Sequence, residues 1–316
     1  MKRFLIFISL SIVIGLAAVY LVIPSTLSVS SSGISNCAIA TASRVISDYG
    51  SWAKWWPDRQ NASHSMGNGY TLNGDTFIFL KRKYNAAEIE IKSNNESYHT
   101  NIILIPVNRD SVAIQWATSV ETGQNPLTRI KRYYQAVSLK NNISTALSSF
   151  NKFIEDGKNL YRFDIRHTTL TDTFLVTTKI VTPTYPSTQA IYSTIDRLNN
   201  YIKENNTEAT NFPMLNVLRG DSLAGYETMI AIPTLKELKE KGDISVKRFI
   251  QIKNKTLVAE IKGGPLSIRE GRKEMQQYMS DYALEMPVLP FESLVTDRSK
   301  EADTSKWVTR LYCPIR

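Results

Sequence analysis

The residues that could do chemistry are few and scattered. His64, His99 and His167 stand alone, with no His-x-x-x-His or mixed Cys/His spacing, so no metal site is read from them. Ser149-Phe150-Asn151-Lys152 has the Ser-x-x-Lys spacing in which a lysine activates a serine. It sits on a helical stripe without a Lys-Thr-Gly partner, and reads as coincidence. There is no Gly-x-Ser-x-Gly elbow, and Gly67-x-Gly69 lacks the third glycine of a phosphate-binding loop. Cys37 and Cys313 lie near opposite ends of the chain, in different expected domains, and are read as two buried thiols. No catalytic set, metal or cofactor emerges. The aromatic residues stand out instead: 15 Tyr, 11 Phe and 5 Trp, three of the last packed into Trp52-Ala53-Lys54-Trp55-Trp56-Pro57-Asp58. Trp52, Trp55 and Trp56 could stack on a ligand in a cavity, but buried tryptophans serve packing first.

The elements that would carry these residues begin with a charge-free run. Phe4 to Ile23 follows Lys2 and Arg3, and the next charge is Arg44. Such a run matches the ~20 residues that cross a ~30 Å hydrocarbon core. The charge asymmetry keeps the N-terminus cytoplasmic. The alternative is a cleaved signal peptide, whose apolar region would be about 7–15 residues with a small-residue cleavage site. The expectation is a single-pass anchor over 1–25, retained in the cell membrane, with everything after it extracytoplasmic.

Beyond the anchor, an alternating stretch Leu27–Cys37 leads into a helix with Ile39, Ala42, Val45, Ile46 and Tyr49 on one face. Strands are expected over Tyr70–Leu80, Ala87–Ser93, Ser97–Val107 and Ser111–Val120, with turn signals at Asn73-Gly74 and Asn108–Asp110. A long helix with Ile143, Ala146, Leu147, Phe150, Phe153 and Ile154 inward closes this first domain, and Asp156-Gly157 ends it. The order is similar to the START-like polyketide cyclase (SRPBCC) superfamily over 26–158. That resemblance implies a helix-grip fold, in which a curved antiparallel sheet wraps the terminal helix around a cavity.

The rest of the chain is approximately duplicated. Strand Phe174–Val181 precedes a helix with Ile191, Ile195, Leu198 and Ile202 inward; strand Thr256–Lys262 precedes one with Met275, Tyr278, Met279 and Tyr282 inward. Each helix is followed by two strand-like runs, Met214–Leu218 with Tyr226–Pro233, and Val288–Val295 with Trp307–Pro314. Two βαββ units suggest a pseudo-twofold α+β domain with a groove between its halves. Over 160–316 the order resembles the GyrI-like effector-binding family, most closely through Glu292-Ser293-Leu294-Val295-Thr296-Asp297 and Trp307-Val308-Thr309-Arg310-Leu311-Tyr312-Cys313-Pro314-Ile315. The resemblance implies that Glu292 lies on the floor of an aromatic pocket and faces cationic or amphipathic ligands. Leu294 stands where the family has Tyr, and Gly264-Pro265-Leu266 where it has Gly-x-Tyr. Tyr201, Tyr226, Tyr278, Tyr282 and Trp307 are the candidate walls.

Net charge is +9, dispersed apart from short clusters such as Lys81-Arg82-Lys83. A dispersed excess suits a solvated surface near anionic lipid, and no nucleic-acid partner is expected. Five Asn-x-Ser/Thr sequons, beginning at Asn61, Asn95, Asn142, Asn205 and Asn254, are no more than a chain rich in these residues produces. The leading expectation is a non-catalytic, membrane-anchored, extracytoplasmic protein that binds a hydrophobic or amphipathic small molecule, cations included. One rival is a small-molecule hydrolase or cyclase with Glu292 as acid/base; another is an envelope scaffold with filled pockets.

Overall fold

The computed structural model describes residues 2–58, 69–94, 96–171, 174–219, 225–249 and 255–316. His64, Gly67 and the sequons at Asn61, Asn95 and Asn254 lie outside these residues. The chain divides into two compact units, Met1–Leu160 and Tyr161–Arg316. Each folds as α+β around an antiparallel sheet.

The first unit opens with helix α1, Lys2–Val22. Among the described residues no helix is long and apolar enough to cross a membrane. The expected anchor falls partly on side chains outside the described residues, those of Lys2, Arg3, Leu5, Ile6, Ile8, Ser9 and Ile12. Of the apolar side chains that are, Phe4 is 70% exposed and Leu21 87%, with Phe7, Leu10, Val13 and Ile14 also exposed. At the other end of α1 the Tyr20 hydroxyl donates to the Gln124 carbonyl at 2.5 Å, and the Arg129 guanidinium lies 4.7 Å over the Tyr20 ring.

Next come β1 (Thr26–Ser35), α2 (Ile39–Ser47), the single helical turn α3 (Trp52–Trp55) and strands β2 (Gly69–Leu72), β3 (Asp75–Lys83), β4 (Ala86–Ser93), β5 (Glu96–Asn108) and β6 (Ser111–Glu121). The expected strand Tyr70–Leu80 is two strands. Asn73 and Gly74 both take positive φ, +48° and +89°, and close β2 onto β3 as a tight hairpin. The sheet runs β1-β6-β5-β4-β3-β2, and β1 pairs with β6 from Thr26↔Glu121 to Ser35↔Val112. Helix α4, Pro126–Glu155, starts where Asn125 Oδ1 accepts from the Leu127 and Thr128 amides and Pro126 takes the first turn, whose amide has no helical partner. It lays Leu139, Ile143, Ala146, Leu147, Phe150 and Ile154 into the core against Phe77, Ile89, Ile91, Ile102 and Ile114. A short turn, α5 (Gly157–Leu160), follows.

The second unit contains β7 (Ile165–Thr168), β8 (Phe174–Thr182), α6 (Thr188–Glu204), β9 (Met214–Arg219), β10 (Tyr226–Thr234), β11 (Ser245–Arg248), β12 (Thr256–Lys262), α7 (Pro265–Asp281), β13 (Phe291–Leu294) and β14 (Val308–Pro314). Its sheet is ordered β11-β8-β10-β9-β13-β14-β12-β7. The halves β8-β10-β9 and β12-β14-β13 mirror each other across the β9–β13 seam, where Glu292 pairs with Leu215. The short outer strands β11 and β7 were not foreseen in the sequence. Both helices pack on one face of this sheet. α6 buries Ile191, Ile195, Leu198 and Ile202 against Val176, Leu215, Ile230 and Ile232, and α7 buries Ile268, Met275 and Met279 against Leu257, Ile261 and Leu311. Gly271 permits the second contact, since a Cβ there would lie 2.6 Å from Ile261 Cδ1.

Candidate functional site

Strand alternation divides the second unit's functional residues between two faces. On the helix side, Glu292 is 2% exposed and its two carboxylate oxygens are taken by two arginines. Oε1 accepts from Arg272 on α7, and Oε2 lies 3.3 Å from Arg298 Nη2. Arg298 is held by Thr309 Oγ1 at 2.8 Å, its backbone amide donates to the Tyr192 hydroxyl at 2.7 Å, and its guanidinium covers the Trp307 ring at 4.8 Å. Tyr185 packs edge-on against Tyr226, and its phenol is raised above the usual value, first by burial and then by the negative charge of Glu292.

The expectation of an open carboxylate ringed by five aromatics therefore changes. Glu292, Trp307 and, through Tyr185, Tyr226 share one neighbourhood, but the carboxylate already has cationic partners. Tyr201 is buried among the α6 residues, donates its hydroxyl to the Lys239 carbonyl and lies 5.8 Å beneath Lys241 Nζ. Tyr278 and Tyr282 stack on each other at 4.6 Å near the end of α7, with Tyr161 5.2 Å from Tyr278. These three are packing residues of the two helices.

The opposite face of the same sheet carries a cleft of about 540 Å³. That volume lies within the ~300–1,000 Å³ usual for small-ligand pockets. The residues between those of the helix-side core form its floor: Leu175 beside Val176, Met214 beside Leu215, Met229 and Ala231 around Ile230, and Phe291 beside Glu292. One residue of offset along β13 thus sends Glu292 to the helices and Phe291 to the cleft. Phe249 meets Phe291 at 5.8 Å, and Phe291 stacks on Tyr312 at 5.0 Å. The segment Pro287-Val288-Leu289-Pro290 forms one wall and is tied to β9 by the Asn216 amide, which donates to the Pro290 carbonyl at 2.5 Å. Among the described residues, the charged side chains lining the cleft are Lys247, Arg248 and Lys255, with no carboxylate. The sequence reading missed this site, although one signal existed. Met229-Ile230-Ala231-Ile232 is apolar at every position, the pattern of a strand covered on both faces.

In the first unit, Trp52, Trp55 and Trp56 are at most 1% exposed. Trp52 stacks on Trp56 at 5.7 Å, Trp56 meets Phe77 edge-on at 5.1 Å, and Trp55 meets Phe150 edge-on at 5.0 Å. The indoles of Trp52 and Trp56 donate to the carbonyls of Ile46 and Thr71 at 2.9 and 2.7 Å. These contacts make the cluster a plug between α3, α4 and the sheet, in which the Trp55 indole N–H, unlike the other two, has no partner among the described residues. Cys37 and Cys313 are both buried thiols, and burial pushes Cys313 up to about 11.

No protein-family model matches the sequence, and no curated protein does. Solved structures similar to the chain include the C-terminal domain of EcmrR, 14% identical, covering 49% of this chain and 98% of that one at a TM-score of 0.40. They also include a point mutant of norcoclaurine synthase from Thalictrum flavum with a transition-state analogue, 12% identical over 42% of this chain and 96% of that one, at 0.32. A START superfamily protein from Mycobacterium smegmatis is 13% identical over 40% of this chain and 97% of that one, at 0.28. One of these neighbours thus bears the name of the START superfamily, a kind the sequence resembles.

Proposed function

We propose that the protein is a membrane-anchored, extracytoplasmic receptor for an apolar or amphipathic small molecule, bound in the cleft of its second unit. The carrying observation is the cleft itself: about 540 Å³, floored by Leu175, Met214, Met229, Ala231, Phe249 and Phe291. Apolar surface of this kind gains ~25 cal/mol for each Å² that a ligand removes from water. The anchor is α1, which begins with Lys2 and Arg3 and bears exposed apolar side chains. The three domains of this reading are the anchor 1–25, the START-like 26–158 and the GyrI-like 160–316, with binding assigned to the last and a filled scaffold to the second.

Native mass spectrometry of the full chain released from lipid nanodiscs tests the reading. Wild type is expected to carry an additional small-molecule mass or to acquire one from an apolar mixture. Met229→Trp, which fills the cleft from β10, is expected to carry none. Equal adducts in both proteins would place binding elsewhere.

A further inference from the structure

The cleft combines an apolar floor with a rim of one charge sign. Lys247 and Arg248 on β11 and Lys255 before β12 are exposed and line it; among the described residues no aspartate or glutamate does. Among the described residues none of the three forms an ion pair, and Arg248 is held 5.8 Å over the Phe174 ring at the same sheet edge. Glu292, a buried carboxylate of the second unit, points to the opposite face and is occupied by Arg272 and Arg298. A cation entering the cleft would therefore meet three like charges and, among the described residues, no counter-charge. An anionic head group would meet the exposed Lys247 and Lys255 amines, with the Arg248 guanidinium beside Phe174 as a third donor, while its chain lay against Met214, Met229 and Phe291.

We propose that the cleft takes a single-chain anionic amphiphile, of the fatty-carboxylate type, with its head at Lys247, Arg248 and Lys255. This rests on the cleft being the binding site, and it reverses the ligand charge that the sequence suggested. The shared chemistry is an acyl chain with an anionic head; the source assigned here is a free single-chain carboxylate, not a phospholipid of the bilayer.

The test is calorimetric titration of the full chain in phosphatidylcholine nanodiscs, corrected against empty discs, with octanoate, octanol and octyltrimethylammonium. Octanoate is expected to bind at least tenfold more tightly than either other probe, as charge-assisted contacts allow. Its affinity should fall with added salt, and hexanoate should bind about fifteenfold more weakly, from the loss of two buried methylenes. Combining Lys247→Gln, Arg248→Gln and Lys255→Gln, all at exposed positions, should bring octanoate down to octanol. Met229→Trp, with Ala231→Phe as a second obstruction should the first misfold, should abolish all three. Equal binding of the three probes, or preference for the cation, overturns the anionic ligand and leaves the cleft standing. Binding of octanoate that survives both obstructions overturns the cleft itself. Loss of octanoate binding in phosphatidylglycerol nanodiscs would make a bilayer lipid the occupant and overturn the assignment to a free carboxylate.

Discussion

Removing the charge of Glu292 should unfold the second unit's seam rather than empty a ligand site. The carboxylate is 2% exposed, and the Arg298 side chain beside it 9%. Arg272, the other partner, is 46% exposed and can turn its guanidinium to water. Arg298 cannot, because Thr309 and the Trp307 ring hold it. Glu292→Gln thus strands one buried cation, and breaking a buried pair from one side costs about 3–5 kcal/mol. The remaining contacts of Arg298 put this case at the lower end, about 3 kcal/mol. For a unit of this size each kcal/mol moves the midpoint by about 2–4 °C, so its melting should fall by about 6–12 °C. Scanning calorimetry of the full chain in nanodiscs reads this directly. Glu292→Leu combined with Arg298→Met, which removes both charges, should recover most of the loss. A fall under about 2 °C for Glu292→Gln, or a double variant no more stable than the single one, would refute the argument.

Trp52→Ala should lower the stability of the first unit by about 3–5 kcal/mol, since the ring is fully buried among Tyr49, Trp55, Trp56 and Tyr70; calorimetry of the same transition checks it. Tyr98 is pushed up to about 12 by burial and by the Glu96 carboxylate that accepts its hydroxyl at 2.6 Å. A raised folded-state value stabilises below pH ~10, the unfolded value, and the contribution is lost as pH rises from there through 12. Between pH 10 and 12 the first unit's midpoint should therefore fall further in wild type than in Tyr98→Phe; parallel curves would contradict the assignment. For topology, a C-terminal alkaline phosphatase fusion should be active and a fluorescent fusion that folds only in the cytosol should be dark, whereas the reverse pattern would place both units in the cytoplasm.

Much of the secondary structure was legible because amphipathic periodicity is a local property. The stripe Ile143–Ile154 marks α4 within Pro126–Glu155, and the paired βαββ pattern anticipates a sheet whose halves mirror across β9 and β13. The cap that starts α4, Asn125 ahead of Pro126, was in the sequence but lay upstream of the apolar stripe and went unread. Trp52–Trp55 reads as loop because its aromatics follow no helical period, yet tertiary packing folds it into a turn of helix. The site was less legible. Which face of β13 carries Glu292 depends on register, and a single residue separates the helix side from the cleft. The partners of Glu292 lie on α7 and in the loop after β13, joined by nothing that sequence spacing reveals. The basic rim arises from β11 and the start of β12, which the fold brings to one end of the cleft.

Hydrogen exchange of the full chain in nanodiscs, with and without octanoate, tests most directly whether the cleft is the binding site. Added protection is expected in β9, β10 and the Pro287–Phe291 segment, with α7 around Arg272 unchanged. Protection centred on Arg272, Arg298 and Tyr185, or no change in the second unit at all, would contradict the account.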